Sequence, residues 1–278
     1  MSLETNHNSF GQLSELADGL AIELSDNLIK FCEFQLNENN PLYICHYPIE
    51  NTLQYSLSDH LINAVKHFQF SKKTYKHVYI NYYTPQFTLC PSAFYKMENN
   101  RSLLEFNSGT IGNNLILTDD INTDIKLIYA IDEQLKSTLD QLFPNHLLKH
   151  TLTVLSKMML SSEELVKEHI VLSIHSNYIE VVVKQEQKLV LANQYSIKTQ
   201  EDVLYYVLFI LEQYHLNPLT TNIKIIGNID SSSSLINSLK KYIKNINLGM
   251  GHKTINWSNL KGMPQHFNYT LLNRLFCE

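Results

Sequence analysis

The chain has 278 residues, of which 44% are hydrophobic and 18% are charged, and its formal net charge at pH 7 is -5. This length suits two globular domains, and the negative charge argues against non-specific binding to nucleic acid or to an anionic membrane. The four cysteines have no Cys-x-x-Cys spacing, which argues against a zinc site or a dithiol redox pair. Residues 203–211 form the longest apolar stretch, which is too short to span a bilayer, and residues 1–16 show no signal peptide. We therefore expect a cytoplasmic protein with no membrane insertion and no nucleic-acid partner.

The first half of the chain begins with a predicted β-hairpin. Apolar and polar residues alternate over 20–24, a polar turn follows at Ser25, Asp26 and Asn27, and residues 28–36 form the partner strand. A third strand is predicted at 42–47. Ser56 and Asp59 have the spacing of a helix capping box, and apolar residues at helical spacing follow them as far as residue 68. A fourth strand is predicted at 76–83, where Val, Ile and Tyr are enriched.

The same order of elements returns in the second half. Strands are predicted at 169–174, 179–183 and 188–192, with a short turn at Ser176, Asn177 and Tyr178. Thr199 and Asp202 again have capping-box spacing, and the helix at 203–214 is apolar on nearly every side, which predicts burial between a sheet and another layer. A strand at 222–227 follows, and then an amphipathic helix whose apolar side extends from residue 235 to residue 246.

The segment between the two halves is harder to interpret. Short strands are predicted at 87–89, 103–107 and 115–117, a stronger strand at 125–130, a helix at 132–143 and a strand at 150–155. We interpret residues 86–120 as an inserted subdomain and residues 121–165 as a return to the main sheet of the first half.

The order of three strands, a helix and a further strand, present twice with an insertion in the first copy, resembles the actin-like ATPase superfamily. The end of the first half is similar to pilus-assembly and cell-division members. The fragments LCPSAFY at 89–95, FPNH at 143–146 and PQHF at 264–267 resemble a family of uncharacterised bacterial proteins with an actin-like ATPase fold. The resemblance implies an α/β fold with two ribonuclease-H-like domains, each containing a mixed five-stranded sheet. These domains would span residues 17–165, with an insertion at about 86–120, and residues 166–278.

The resemblance also implies where a nucleotide would bind. In working actin-like ATPases the first turn of each half carries glycine beside aspartate, so that backbone N–H groups approach phosphate and the acid orients Mg²⁺. Here the first turn keeps an acid but no glycine, although Asn27 can adopt the positive φ that glycine would supply, and the second turn keeps neither. The candidate cofactor-binding residues, expected in a cleft between the halves, are Asp26, Asn27, Ser176, Asn177, Gly227 and Asn228.

The missing glycines and acids weigh against catalysis. We expect no catalytic residue, no metal site and no cofactor, and a role as an interaction or scaffold module for an unidentified protein partner. The alternative is a divergent ATP-binding ATPase or kinase that uses ATP and Mg²⁺. His146 and His150 are four residues apart and could share a metal ion on a helix, but we favour two unrelated structural histidines. The sequence leaves the oligomeric state open.

Overall fold

The fold is taken from a computed structural model that describes residues 10–11, 14–49, 55–161, 169–230, 232–250 and 254–274. Most of residues 1–16, in which we expect no signal peptide, lie outside this range. The chain forms two compact units. The first comprises Met1–Val154, Lys253–Met263 and Arg274–Glu278, and the second comprises Leu155–His252 and Pro264–Asn273.

The described chain contains strands and helices throughout, with three successive strands at the start of each repeated half. In chain order the strands are β1 (Phe10–Gly11), β2 (Gly19–Leu24), β3 (Leu28–Gln35), β4 (Asn40–Pro48), β5 (His77–Tyr82), β6 (Phe87–Pro91), β7 (Leu115–Asp120), β8 (Ile125–Ile131), β9 (His146–His150), β10 (Ile170–Ile174), β11 (Tyr178–Gln185), β12 (Lys188–Ser196), β13 (Asn222–Gly227) and β14 (Asn245–Leu248). The helices are α1 (Leu57–His67), α2 (Asn100–Ser108), α3 (Glu133–Leu142), α4 (Thr151–Ser161), α5 (Gln200–Gln213), α6 (Ser234–Lys240) and α7 (Tyr269–Asn273).

Both predicted capping boxes are present. The Ser56 side chain accepts from the backbone N–H of Asp59, and the Asp59 carboxylate accepts from the Ser56 backbone N–H in return. Thr199 and Asp202 make the same reciprocal pair at the start of α5. Because each pair satisfies two N–H groups that have no partner within the helix, it fixes the residue at which α1 or α5 begins.

Each unit contains a mixed sheet with the same connectivity. The strand order is β4-β3-β2-β5-β9 in the first unit and β12-β11-β10-β13-β14 in the second. In both sheets the first three strands are antiparallel neighbours, and the next two run parallel to the first strand of the hairpin. The two-residue β1 pairs with the outer edge of β4, so the first sheet has six strands, five of which form the repeated pattern. The predicted duplicated α/β fold is confirmed.

The insertion in the first unit is a sheet of its own. Its strand order is β6-β8-β7, and α2 packs against it. Residues 103–107, predicted as a strand, lie within α2, where Leu104 is buried and Phe106 is exposed. Gly109, with φ of +76°, ends this helix. Residues 125–130 form β8, which pairs with β6 and β7, so the predicted return to the main sheet is wrong for β8 and correct for β9.

Three further elements differ from prediction. The predicted strand at 150–155 is instead the end of β9 followed by α4. The helix predicted to continue to Ile246 ends at Lys240, and Ile246 lies in β14, paired in parallel with β13. Helix α5 buries one side against the sheet, but Tyr205 and Phe209 on its outer side are exposed. The prediction that α5 is buried between a sheet and another layer is therefore wrong for its outer side. No helix in the described residues is long and apolar enough to cross a membrane.

His150 ties the insertion to the main sheet of the first unit. Its ring is fully buried and contacts the rings of Phe87 and Tyr129. Its Nε2 donates to the carbonyl oxygen of Thr84 at 3.0 Å, and its Nδ1 accepts from the Leu152 backbone N–H at 3.1 Å. These two bonds require the neutral tautomer with the proton on Nε2, because a protonated ring could not accept from Leu152.

Asp119 of β7 completes this junction. Its Oδ2 accepts from the His150 backbone N–H at 2.8 Å. Burial raises the pKa of the Asp119 carboxyl, an effect that the bond from His150 and the charges of Lys149 and Arg274 only partly offset. The ionised carboxylate is therefore costly in the folded state.

We expect the stability of the variant Asp119→Asn, relative to wild type, to increase between about pH 4.5 and about pH 7. Both pH values lie above the ordinary pKa of an aspartate. A buried acid with a raised pKa favours the protonated folded state, so wild-type stability falls as the pH rises through that pKa. The asparagine carbonyl oxygen still accepts from His150. Thermal melts at both pH values measure the difference.

The control variant Asp124→Asn removes an exposed carboxylate from the same insertion and should show no such pH-dependent gain. A melting-temperature difference for Asp119→Asn that stays constant with pH, or that favours wild type at high pH, contradicts the expectation.

Candidate functional site

The first candidate turn is closed by its own atoms. The Ser25 backbone N–H donates to the Leu28 carbonyl oxygen at 3.1 Å, and the Ser25 hydroxyl donates to the same oxygen at 2.8 Å. The Leu28 N–H in turn donates to Ser25 Oγ at 3.2 Å. Asp26 at the tip is exposed, and Asn27 is not among the described residues with positive φ, so it does not use the left-handed conformation that asparagine can adopt. A serine side chain therefore occupies the position where a phosphate-binding loop would present N–H groups.

The second turn has the same length as the first. The His175 N–H donates to the Tyr178 carbonyl oxygen at 3.0 Å, so Ser176 and Asn177 are the two tip residues. They correspond to Asp26 and Asn27, whereas the sequence interpretation placed the turn one residue later and judged it short. Tyr178 is the buried first residue of β11 and not part of the tip.

The carbonyl groups of the two asparagines confirm that the turns are equivalent. The Ile49 N–H donates to the Asn27 oxygen at 2.9 Å, and the Ile197 N–H donates to the Asn177 oxygen at 2.9 Å. In each unit the end of the third strand is thus bonded to the tip of the hairpin. This repeated contact is a property of the fold and engages an oxygen of each candidate turn.

A buried polar cluster at the base of the second turn was missed from the sequence. His175 Nε2 lies 2.9 Å from Ser173 Oγ and 3.2 Å from Glu180 Oε2, and its ring stacks on Tyr178 with centroids 4.2 Å apart. Ser173 and Glu180 face each other across the β10–β11 pair, and both are almost fully buried. The alternation of the two strands could have revealed this pairing, since it puts both side chains on one side of the sheet.

This cluster is not a catalytic triad. A triad needs the serine and the acid on different nitrogens of the histidine, whereas Ser173 and Glu180 both contact Nε2 of His175. Ser173 is also only 1% exposed, so its hydroxyl is closed to a substrate. The cluster can hold the turn in place, but it cannot deliver a nucleophile.

Gly227 is required by a close backbone approach. It has φ of +92°, and a Cβ on it would lie 2.2 Å from the carbonyl oxygen of Ile174. Its N–H donates to the His266 oxygen, and the Asn228 N–H donates to the Ile174 oxygen, both at 2.8 Å. These contacts bring Gly227 and Asn228 beside the end of β10, next to the second turn. The close approach of Ile174 therefore explains the glycine without a nucleotide.

The first unit makes the equivalent contact without glycine. The Tyr83 N–H donates to the Leu24 oxygen at 2.9 Å, and Tyr82 takes the strand position that Gly227 takes in the second unit. The structure thus brings four of the six candidate residues together in the second unit, at the carboxyl ends of its central parallel strands. The other two, Asp26 and Asn27, lie at the equivalent strand ends of the first unit.

The two turns offer few groups to Mg–ATP. The first turn offers one carboxylate, Asp26, and the second offers none, while the turn N–H groups of Ser25, Leu28 and His175 are engaged within the turns. In the described part of the chain no group of three or more His, Cys, Asp or Glu residues could hold a metal ion. Mg²⁺ takes oxygen ligands such as carboxylates, whereas the phosphate groups need N–H donors that are not already engaged.

The two histidines considered as metal ligands both contact backbone. His146 Nδ1 lies 2.8 Å from the Phe143 carbonyl oxygen, and both ring nitrogens of His150 are bonded as described above. They lie on strand β9 and not on a helix. These bonds are those of structural histidines.

A polar groove lies elsewhere in the first unit, between the insertion and α3. Its volume is about 640 Å³. The described residues that line it carry amides, hydroxyls and carboxylates, and none is basic. They include Asn113, Asn114, Asp132, Glu133, Ser137 and Gln141. Such a lining suits a polar or cationic ligand better than a phosphate.

Comparison with known proteins identifies the family. A family model described as "Protein of unknown function (DUF3822)" matches residues 7–246. The chain belongs to that family. No curated protein matches the chain.

Solved structures agree on the fold. The chain is 21% identical, with a TM-score of 0.78, to a Bacteroides thetaiotaomicron protein with an actin-like ATPase fold and unknown function, covering 96% of this chain and 100% of that one. It is 11% identical, with a TM-score of 0.60, to a chain of the PilM–PilN type IV pilus biogenesis complex, covering 94% and 97%. For the ethanolamine utilization protein EutJ from Carboxydothermus hydrogenoformans the identity is 8%, the TM-score 0.53 and the coverage 99% and 94%. The predicted resemblance to actin-like proteins is confirmed, and at these identities the likeness concerns the fold alone.

We expect Gly227→Ala to destabilise the protein by about 3 kcal/mol or more, because the methyl group collides with backbone that cannot move away cheaply. The matched variant Gly262→Ala has a similar φ of +85° but no atom within 4 Å of its Cβ. It should cost only about 1 kcal/mol, from the positive φ alone. Urea unfolding of both variants measures the difference, and equal losses would contradict the close-approach explanation.

Proposed function

We propose that this protein is a non-catalytic actin-like module that binds a protein partner or acts as a scaffold. The observation that carries the proposal is that the Ser25 and Leu28 N–H groups in the first turn, and the His175 N–H group in the second, donate within their own turns. A loop that binds phosphate keeps such donors for its ligand. The duplicated fold is kept, while the groups that would act on a nucleotide are used internally.

The fold neighbours support a role in an assembly. A solved chain of similar fold was determined as part of the PilM–PilN type IV pilus biogenesis complex. Here the polar groove between the insertion and α3 offers a surface for a partner segment, and its carboxylates Asp132 and Glu133 favour basic groups. We place this module in the cytoplasm.

The rival function is a divergent ATP-binding ATPase or kinase. It would use the exposed acid Asp26 with Asn27, Ser176 and Gly227 in unusual roles. The rival requires saturable nucleotide binding, whereas the interaction module does not, so nucleotide binding separates the two.

We expect no change in melting temperature when wild-type protein is heated with millimolar Mg–ATP or Mg–ADP. A ligand at about 100 times its Kd would stabilise the folded state by about 2.7 kcal/mol, which raises the melting temperature of a chain of this size by several degrees. Differential scanning fluorimetry detects such a shift.

A reproducible rise that disappears in Asp26→Ala but persists in Glu98→Ala would overturn the proposal in favour of the rival. Glu98 is an exposed acid in the insertion, so its variant controls for the loss of one negative charge. A rise that neither variant changes would also contradict the proposal, since nucleotide would then bind away from the turn.

A further inference from the structure

The outer side of helix α5 presents an exposed stripe of four side chains in the second unit. Glu201, Tyr205, Phe209 and Glu212 follow one another at spacings of four, four and three residues, which aligns them along one side of a helix. Tyr205 is 62% exposed and Phe209 is 40% exposed, and both glutamates are exposed. The stripe therefore has two aromatic rings at its centre and a carboxylate at each end.

The two central rings form an ordered platform. Tyr205 and Phe209 stack with centroids 6.1 Å apart and an interplanar angle of 16°. Behind them Tyr206 meets the Tyr205 ring edge-on and stacks on Tyr195 of β12, with centroids 4.4 Å apart. Rings held in this way lose little freedom on binding, which is one reason that aromatic residues concentrate in protein interfaces.

The composition of α5 is that of a helix covered on both sides. Its inner residues Val203, Val207, Ile210 and Leu211 are buried against the sheet. An apolar outer side is expected where a second layer covers the helix, yet the described residues leave Tyr205 and Phe209 exposed. A second molecule can supply the missing layer.

We propose that this stripe docks an amphipathic helix of a partner protein, in which a Lys or Arg flanks a short apolar stretch on each side. The proposal rests on the function proposed above and names one surface and one partner chemistry for it. Glu201 and Glu212 are eleven residues apart, or about 16 Å along the helix axis. A partner helix of similar length would place one cation opposite each carboxylate and its apolar residues on the two rings.

Charge favours this partner over a second copy of the chain. Helix α5 contains acids at both ends of the stripe and no basic residue, and neither Glu201 nor Glu212 forms an ion pair with a described residue. Two copies packed antiparallel through α5 would place Glu201 of one opposite Glu212 of the other. Two copies packed parallel would pair each glutamate with itself, and like charges in an interface are unfavourable.

Photo-cross-linking in the producing cell tests the proposal. A benzophenone amino acid replaces Tyr205 in the full chain, and in a control chain it replaces Tyr242, which is 53% exposed in the same unit. Both cross-linker chains are also made in a second form that carries Glu201→Lys and Glu212→Lys together. All substituted positions are exposed, so the melting temperatures of the variants should match wild type. Mass spectrometry then identifies the cross-linked segment.

The expected result is an adduct at position 205, absent at position 242, with a segment of another protein that carries Lys or Arg on both sides of apolar residues. The charge reversal should lower its yield at least tenfold. A synthetic peptide of that segment should bind Tyr205→Ala/Phe209→Ala at least tenfold more weakly than wild type.

The proposal is overturned by an adduct with this chain itself, by a segment without flanking cations, by a yield that charge reversal leaves unchanged, or by no adduct above the Tyr242 control. Such a result would leave the interaction-module function standing. That function is tested separately by the absence of a nucleotide-dependent melting shift.

Discussion

Each half of this molecule depends on a hairpin turn with two tip residues, closed by a backbone hydrogen bond. Ser25 to Leu28 closes the first turn and His175 to Tyr178 closes the second. The backbone after the fourth strand then binds the end of the first strand, through Tyr83 or Asn228. These contacts hold together the carboxyl ends of the parallel strands. This is where α/β folds place their ligand sites.

The proposed function requires a frame that persists without nucleotide chemistry, and the same contacts supply it. A phosphate site at such strand ends needs backbone N–H groups that are free and approachable, and glycine usually provides both. In the first turn the Leu28 N–H donates instead to the Ser25 hydroxyl oxygen. In the second turn His175, anchored by Ser173 and Glu180, fills the base of the hairpin. On the proposed function, hydrogen bonding within the protein takes the place of hydrogen bonding to a ligand.

Local signals in the sequence predicted much of the fold. The capping residues Ser56 and Thr199 fixed two helix starts, because a cap needs only neighbours within three residues. Alternation of apolar residues identified the central hairpin strands, and repetition of the order identified the duplication. The positions of Asp26, Asn27 and Gly227 at strand ends also followed from the sequence.

The errors arise where distant contacts decide the structure. Residues 103–107 and 150–155 are short apolar runs that fit a strand or a helix, and packing selects helix for 103–107 and for all but the first residue of 150–155. β8 joins the insertion sheet through pairing with β6 and β7, which no local pattern reveals. The second turn was placed one residue late because Tyr178, a buried strand residue, adjoins two polar tip residues. The exposed stripe on α5 was unforeseen because an apolar helix gives no sign of which side remains uncovered.

Equilibrium dialysis of the purified chain against radiolabelled ATP with excess Mg²⁺ tests the central claim most directly. If the turns are closed by their own atoms, the protein side should hold no excess label at ligand concentrations up to about 1 mM, where a weak site of about 4 kcal/mol would be half filled. Saturable retention of one nucleotide per chain, lost when Asp26 is replaced by alanine, would contradict the account.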